Sequence, residues 1–267
     1  MNKNQPIGIF DSGLGGLTVL KALQEKLPNE SFVYIGDTAH VPYGNKSQKA
    51  IINYTKTLSN FLIEDHNVKM IIVACNTASS IALKSLQRAY KIPIIDVISP
   101  IQGLLLENNQ IKRIGIIGTH NTVKSKAYNK LLLSINPKLK IFSQACPLFV
   151  PIIEEGLENH QITKIISREY LDPLIYKKIE ALILGCTHYP ILKKNIKSFL
   201  PASIKIFDSA ETLSIHTKKY LINNSLISSS SNHATHLFIT DESDHFNQFA
   251  CHILNNQFST ISSIQLF

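Results

Sequence analysis

Two short segments of the sequence place a cysteine in the same setting. In residues 70–77 and 181–188, an apolar run ends in a small residue, a cysteine and then a short polar residue. This pattern is typical of a buried strand that ends just before a helix. A helix N-terminus carries partial positive charge, which lowers the pKa of a thiol and favours the reactive thiolate. We therefore predict two reactive thiols, Cys75 and Cys186.

The spacing of the four cysteines limits what they can do. No two of them form a C-x-x-C pair, so the sequence predicts neither a zinc ribbon nor a disulfide framework, and we expect reduced thiols. Free cysteine is often a small core residue, which is the alternative for Cys75 and Cys186 and the expectation for Cys251. The matched settings of Cys75 and Cys186 favour chemistry over packing.

The composition indicates a globular protein. The chain has 267 residues, of which 44% are hydrophobic, and a net charge of +8. Its lysines are scattered singly or in pairs, so we do not expect a nucleic-acid partner. No apolar run is long enough to cross a membrane, and the first residues lack the apolar core of a signal peptide, so we expect a cytoplasmic protein.

A glycine-rich turn, Asp11–Leu17, follows the first predicted strand and leads into a helix. Glycines let the backbone approach a ligand closely, and a helix N-terminus offers N–H groups to an anion. The glycine spacing matches neither the dinucleotide-binding fingerprint nor the P-loop. The turn therefore favours a small carboxylate over a nucleotide phosphate.

The pattern of strands and turns restarts near residue 113. Gly115 follows Gly8 at an offset of 107, and Cys186 follows Cys75 at an offset of 111. A further strand and a loop lie between these landmarks, in the same order in both halves. We infer an internal duplication.

Alternating strands and helices predict an α/β fold with mainly parallel sheets. We expect two similar domains related by a pseudo-two-fold axis, one formed by residues 1–96 and completed by 208–267, the other by 97–207. The serine-rich run 225–236 predicts a flexible surface loop. Because ligands bind beyond the carboxyl ends of parallel strands, the two thiols should face each other across one cleft. Such a pair suits racemisation, in which a proton leaves one face of a carbon and another arrives at the opposite face.

Five segments of the sequence form specific patterns. They are Gly8–Leu17, Gly36–Ala39 with Pro42–Gly44, Ala74–Ser79, Pro147–Glu154 and Gly185–Pro190. Together they make the sequence similar, over essentially the whole chain, to the glutamate racemases of the cofactor-independent aspartate/glutamate racemase superfamily. His40 departs from the pattern, since the family often has arginine at that position.

The resemblance implies a reaction that uses no cofactor, neither pyridoxal phosphate nor metal. Cys75 would take the α-proton from D-glutamate and Cys186 would take it from L-glutamate, the other thiol donating each time. Asp11 would assist Cys75, and His188 with Glu154 would assist Cys186. The substrate contacts carried over, with two added from the duplication, are Asp11, Ser12, Tyr43, Gly44, Asn76, Thr77, Thr119, Thr122, Thr187 and His188.

The resemblance also implies a cellular role and partners. The product would be D-glutamate for peptidoglycan synthesis, and the assembly would be a homodimer. Some members of the family inhibit DNA gyrase, so a secondary interaction of that kind is kept as an alternative.

Other readings of the same residues stay open. The substrate could be aspartate or a hydantoin, or the chain could bind a macromolecule. In isolation, Asp11 and Asp37 could be helix or loop caps, and His188 could be a turn residue. A metal site is disfavoured because no two of its candidate ligands have helical spacing. Those ligands are Cys75, Cys186, His188 and His40.

Overall fold

The computed structural model describes residues 2–267, in which strands and helices alternate. The strands of this part of the chain, β1 to β10, are Ile7–Asp11, Phe32–Gly36, Met70–Val73, Ile94–Asp96, Arg113–Gly118, Lys140–Ala145, Ala181–Gly185, Lys205–Asp208, Thr235–Ile239 and Thr260–Ser263. The helices, α1 to α11, are Gly16–Lys26, Gln48–Glu64, Asn76–Ala89, Ile101–Glu107, His120–Ser125, Ala127–Ile135, Phe149–Glu154, Gln161–Tyr176, Lys193–Phe199, Ser209–Asn223 and Asp244–Leu254. Short 3₁₀ turns span Thr38–His40, Tyr43–Asn45 and Tyr189–Leu192.

The strands form two sheets in which every pairing is parallel. One sheet has six strands in the order β10-β9-β2-β1-β3-β4, and the other has four in the order β6-β5-β7-β8. The order β2-β1-β3-β4 in the first sheet repeats as β6-β5-β7-β8 in the second. The predicted α/β class with parallel sheets is confirmed, and the strand order agrees with the inferred duplication.

The central strands form because they are short apolar runs that can be covered on both faces. Every residue of β1, β3 and β7 is buried, as expected of parallel strands packed between two layers of helices. Helix α2 begins after a capping residue, since the Ser47 hydroxyl accepts a hydrogen bond from the Ala50 amide at 3.2 Å. No helix within residues 2–267 has both the length and the apolar character needed to cross a bilayer.

The C-terminal region returns to the first sheet. Strands β9 and β10 pair in parallel beside β2, and the last of them is a polar edge strand that the sequence did not predict. The division into domains at residues 96/97 and 207/208 stays a prediction.

One packing prediction for the C-terminal region is wrong, and a second is correct only in part. Cys251 is exposed, because α11 turns Phe246, Ala250 and Leu254 inward and leaves residue 251 outside. The predicted surface loop is irregular up to residue 234 and exposed at residues 229 and 231–233, but Leu226 and Ser228 near its start are buried.

Candidate active site

Cys75 lies at the junction predicted for it, between β3 and α3. It caps α3, and its Sγ accepts a hydrogen bond from the Ala78 amide at 3.4 Å. The same sulfur donates to the Ser12 hydroxyl at 3.5 Å, and the residue is only 5% exposed. The glycine-rich turn and the β3–α3 junction therefore meet at this thiol.

The electrostatics of Cys75 differ from the prediction. Burial, followed by the charge of Asp11, raises the pKa of this thiol to about 12, and the hydrogen bonds from Ala78 and to Ser12 only partly oppose the rise. The expected lowering at a helix N-terminus is wrong for Cys75, because desolvation outweighs the contribution of the amide. At neutral pH Cys75 is a protonated thiol.

Asp11, at the end of β1, occupies the amides of the glycine-rich turn. Its Oδ2 accepts from Gly13 N at 3.1 Å and from Gly16 N at 2.9 Å. These two amides thus bind the carboxyl group of Asp11. The prediction that amides of this turn bind a substrate carboxylate is therefore wrong for Gly13 and Gly16. Oδ1 is buried and has no hydrogen-bond partner in the described part of the chain. Burial raises the pKa of Asp11, while the charge of His188 opposes that rise.

Cys186 follows β7 and is linked to a second pair of polar residues. His188 Nδ1 lies 3.8 Å from the Cys186 sulfur, and its Nε2 lies 2.9 Å from Glu154 Oε1. Burial alone would lower the pKa of His188, but its hydrogen bonds to Cys186 and Glu154, and their charges, raise it to about 10. The imidazole is therefore a cation at neutral pH.

The chain after Cys186 does not form the predicted α-helix. A 3₁₀ turn, Tyr189–Leu192, comes first, and α9 begins only at Lys193. The positive charge next to Cys186 thus comes from the side chain of His188 and not from a helix N-terminus.

The turn before α1 packs tightly against His188. A Cβ atom placed on Gly15 would lie 2.4 Å from His188 Nδ1 and 2.4 Å from Thr187 Oγ1. The Thr18 hydroxyl also donates to the Thr187 carbonyl at 2.7 Å. The start of α1 therefore fixes the position of the segment that carries Cys186.

Both thiols line one small cavity between the two sheets. Its free volume is about 30 Å³, which is room for a water molecule or two but not for an amino acid. The cleft must therefore open to admit a ligand. Its wall includes most of the predicted site: Ser12, Tyr43, Gly44, Cys75, Asn76, Thr77, Thr119, Cys186, Thr187 and His188. Three predicted residues lie behind the wall rather than in it: Asp11, Thr122 and Glu154.

Hydroxyl groups from both sheets meet at one end of the cavity. Thr77 Oγ1 lies 2.9 Å from Thr119 Oγ1, which lies 3.0 Å from Thr122 Oγ1. The Tyr43 hydroxyl, by contrast, donates to Asp37 Oδ2 at 2.6 Å. The Tyr43 O–H is thus already used in a hydrogen bond within the protein.

Two residues that the sequence did not single out also support the cavity wall. Asn121 Nδ2 donates to the Tyr43 carbonyl at 3.0 Å and to the Lys46 carbonyl at 3.1 Å. Tyr128, on α6, donates its hydroxyl to Asn76 Oδ1 at 2.6 Å. Neither belongs to a motif, and only the fold brings them to the site.

The four candidate metal ligands do not form one cluster, because His40 lies outside the cavity wall that contains the other three. His40 lies 2.9 Å from Asp37 Oδ1 and stacks on Tyr54 with 4.0 Å between the ring centres. Within residues 2–267, no group of three or more His, Cys, Asp or Glu side chains is arranged to hold a metal ion. The alternative metal site has no support in this geometry.

Comparison with known proteins places this site in a family. A sequence profile of the Asp/Glu/hydantoin racemases matches residues 8–214. The chain belongs to the Asp/Glu/hydantoin racemase family. It is an isomerase of the amino-acid racemase class, and the resemblance predicted from its sequence segments is confirmed.

Individual members of the family match most of the chain. A glutamate racemase of Sulfurihydrogenibium sp. is 44% identical over 243 residues, which cover 91% of each chain. The crystal structure of a glutamate racemase from Francisella tularensis, in complex with D-glutamate, has a TM-score of 0.92 at 38% identity and covers 99% of this chain and 98% of its own. A Bacillus anthracis glutamate racemase isoform has a TM-score of 0.95 at 35% identity over 99% of both chains.

Proposed function

We propose that this protein interconverts L- and D-glutamate by moving protons through Cys75 and Cys186, without a cofactor. The observation that carries the proposal is that the two thiols line one cavity, each at the end of a corresponding strand of its sheet. The glutamate racemases that match nearly the whole chain support the choice of substrate, as does the Francisella tularensis structure with D-glutamate.

The reaction needs one base and one acid on opposite faces of the α-carbon. With L-glutamate, the Cys186 thiolate removes the α-proton and the Cys75 thiol donates its own proton to the other face, giving D-glutamate. With D-glutamate the two sulfurs exchange roles. One proton is lost and one is gained in each direction, so substrate and product have the same composition.

The surroundings of the two thiols match one of these two states. Cys75 is protonated, and the His188 cation lies beside Cys186, which is the arrangement required to accept L-glutamate. To accept D-glutamate, the Cys75 proton must first leave. Asp11 can receive it, because burial raises the pKa of this carboxyl group and its Oδ1 has no partner among residues 2–267.

The remaining polar residues of the wall hold the substrate. Ser12, Asn76 and Thr187 offer hydrogen-bond donors near the thiols, and the Thr77 and Thr119 hydroxyls offer donors at one end of the cavity. Thr122 contacts Thr119 from behind the wall. The α-proton of an amino acid is far less acidic than a thiol, so the donors must stabilise the negative charge that develops in the transition state.

The proposed cellular role is supply of D-glutamate for peptidoglycan in a bacterial cytoplasm. A homodimer and a secondary interaction with DNA gyrase stay predictions from the resemblance. The lysines are scattered singly or in pairs along the sequence, so no cluster of basic residues favours the gyrase interaction.

The direct test is incubation of the purified protein with D-glutamate in deuterated buffer, with a chelator and no added cofactor. Optical rotation and NMR of the α-position follow the reaction. We expect rotation to fall while deuterium enters the α-position. Turnover of D-aspartate instead of D-glutamate would keep the chemistry and overturn the substrate, and no reaction with either would overturn the proposed function.

A second test asks whether both thiols are required. Replacing either Cys75 or Cys186 with alanine should abolish racemisation in both directions, because each direction needs both an acid and a base. Circular dichroism should show an intact fold, and Cys251→Ala, at an exposed cysteine, should keep full activity. Substantial activity in both directions with either thiol missing would contradict the two-thiol mechanism.

A further inference from the structure

Asn76 has a buried side-chain amide in which the oxygen is hydrogen-bonded and the nitrogen is not. It is the first residue of α3, directly after Cys75, and is only 2% exposed. Its Oδ1 accepts the Tyr128 hydroxyl at 2.6 Å. Its Nδ2 is buried and has no hydrogen-bond partner within residues 2–267. Buried amide nitrogens are rarely left in this state, so the free donor requires an explanation.

The position of Asn76 indicates what the free donor is for. Asn76 lines the same cavity as the two thiols. Both N–H groups of an amide are donors, and the proposed substrate carries two carboxylates that need donors. A free Nδ2 beside the cavity is therefore a ready contact for a carboxylate oxygen.

We propose that Tyr128 is a positioning residue that sets the orientation of the Asn76 amide, so that Nδ2 is presented to a carboxylate of the substrate. An asparagine amide can turn over and exchange its oxygen and nitrogen. If the amide turned over, Nδ2 could donate to the tyrosine oxygen, but the Tyr128 O–H would lose its one acceptor among the described residues, so the hydroxyl favours the orientation in which it donates to Oδ1. This inference rests on the proposed function, because it assigns the free donor to the carboxylate of an amino acid.

Tyr128 also links the two halves of the structure. It lies on α6, which follows β5 of the four-stranded sheet, whereas Asn76 follows β3 of the six-stranded sheet. Tyr128 is itself 2% exposed and packs near Gly185, whose Cβ would lie 3.1 Å from its ring. Its hydroxyl reaches Asn76 only while the two sheets are close together. The contact therefore orients the amide when the cleft is closed.

The first experiment compares Tyr128→Phe with a matched control. Tyr90→Phe removes another tyrosine hydroxyl that donates to an asparagine oxygen, Asn60 Oδ1, away from the cavity. We expect Tyr128→Phe to raise KM for glutamate about 3- to 10-fold, the size of one lost hydrogen bond, with a smaller change in kcat. Tyr90→Phe should leave both constants unchanged. An unchanged KM in Tyr128→Phe would overturn the inference.

A double-mutant cycle tests whether Tyr128 acts through Asn76. If it does, Tyr128→Phe combined with Asn76→Ala should have the same kcat/KM as Asn76→Ala alone, because the amide that Tyr128 orients is gone. Independent, multiplying losses would overturn the inference. If the unmodified protein fails to racemise glutamate, it is the proposed function that fails; if it succeeds and the cycle is additive, only the role of Tyr128 fails.

A measurement on the unmodified protein needs no variant to fold. The side-chain ¹⁵N–¹H signals of Asn76, assigned by NMR, should shift when D-glutamate is added, because a carboxylate then binds Nδ2. Signals that stay in place at saturating glutamate would overturn the inference.

Discussion

At the scale of single residues, the two thiols have neighbours of opposite charge. Cys75 lies near the Asp11 carboxyl group, which together with burial raises the pKa of the thiol to about 12. Cys186 lies 3.8 Å from the ring of His188, which is held as a cation by Cys186 and Glu154. The neutral form of the thiol is therefore favoured at Cys75, whereas the side chain that contacts Cys186 is a cation.

This difference predicts an alkaline limit for the consumption of L-glutamate. The pKa of His188 is raised from 6.5 to about 10, so the imidazolium is present at neutral pH and is lost as the pH rises through about 10. Its contribution to folding has the same sign, present in full below 6.5 and lost as the pH rises through about 10. In Glu154→Gln, which removes a charge that raises this pKa, the rate should begin to fall at a lower pH.

The pH dependence of kcat/KM for L-glutamate measures this effect. Glu155→Gln serves as the control, because Glu155 is the exposed neighbour of Glu154 and has no side-chain contact with His188 among the described hydrogen bonds. Identical alkaline limits in both variants would rule out the role given to Glu154.

At the scale of elements, the start of α1 and the segment after β7 are packed too closely to accept a side chain. Gly15→Ala would place a Cβ 2.4 Å from both His188 Nδ1 and Thr187 Oγ1, so His188 must move away from Cys186. A displacement of about 1 Å at a catalytic group can cost about 100-fold in rate. We therefore expect kcat/KM to fall about 100-fold in both directions.

The control for this prediction is another glycine. Gly103, inside α4, has nothing within 4 Å of an added Cβ. Gly103→Ala should keep full activity and stabilise the protein by about 0.5–1 kcal/mol, the usual gain from replacing a helical glycine. Steady-state kinetics and thermal unfolding of both variants test the pair, and an active Gly15→Ala enzyme would refute the packing argument.

The elements that the sequence predicts well are those with a strong local signal. Strand β2 and helix α11 have such a signal, because one is an apolar run and the other has a clear apolar face. Helix α7 has only a weak local signal, since it is short and contains Pro151. Strand β10 is short, exposed and polar, and only its pairing with β9 makes it a strand.

The residues of the site likewise differ in whether a local sequence pattern marks them. Cys75, Cys186 and their immediate neighbours can be predicted from their motifs. The raised pKa of Cys75 cannot be read from its helix N-terminus, because burial and Asp11 set it through packing. Tyr128 and Asn121 bind residues of the cavity wall, Asn76 and Tyr43, that are distant in sequence, and no local pattern marks them.

At the scale of the whole molecule, the buried ion pair of Lys69 and Glu30 links the C-terminal region to the rest of the six-stranded sheet. Lys69 Nζ lies 2.5 Å from Glu30 Oε2, and both side chains are at most 3% exposed. Lys69 also donates to the Leu226 carbonyl at 2.9 Å, and the Ser228 amide donates to Glu30 Oε1 at 2.8 Å. The pair explains why the beginning of the serine-rich run is held in place before β9.

Removing one partner should be costly, because the other is left as an uncompensated buried charge. We expect Lys69→Met to lower the free energy of unfolding by about 3–5 kcal/mol. Lys56→Met, at an exposed lysine of α2, should change it by less than about 0.5 kcal/mol. Urea denaturation compares the two, and equal losses would show that the pair contributes no special stability. Both variants should retain kcat/KM while folded, since neither residue lines the cavity.

The repeated strand order bears on how such a site could have arisen. Two identical half-length chains paired about an axis would surround both sulfurs with the same residues, because symmetry makes each side chain appear twice. Joining the halves in one gene removes that constraint, so mutation can place a carboxyl group beside one sulfur and an imidazole beside the other. Mirror-image substrates have equal free energy in water, which ties kcat/KM in one direction to its value in the other. Divergence of the two copies can therefore change kcat and KM separately for each enantiomer, but it cannot make the enzyme run one way.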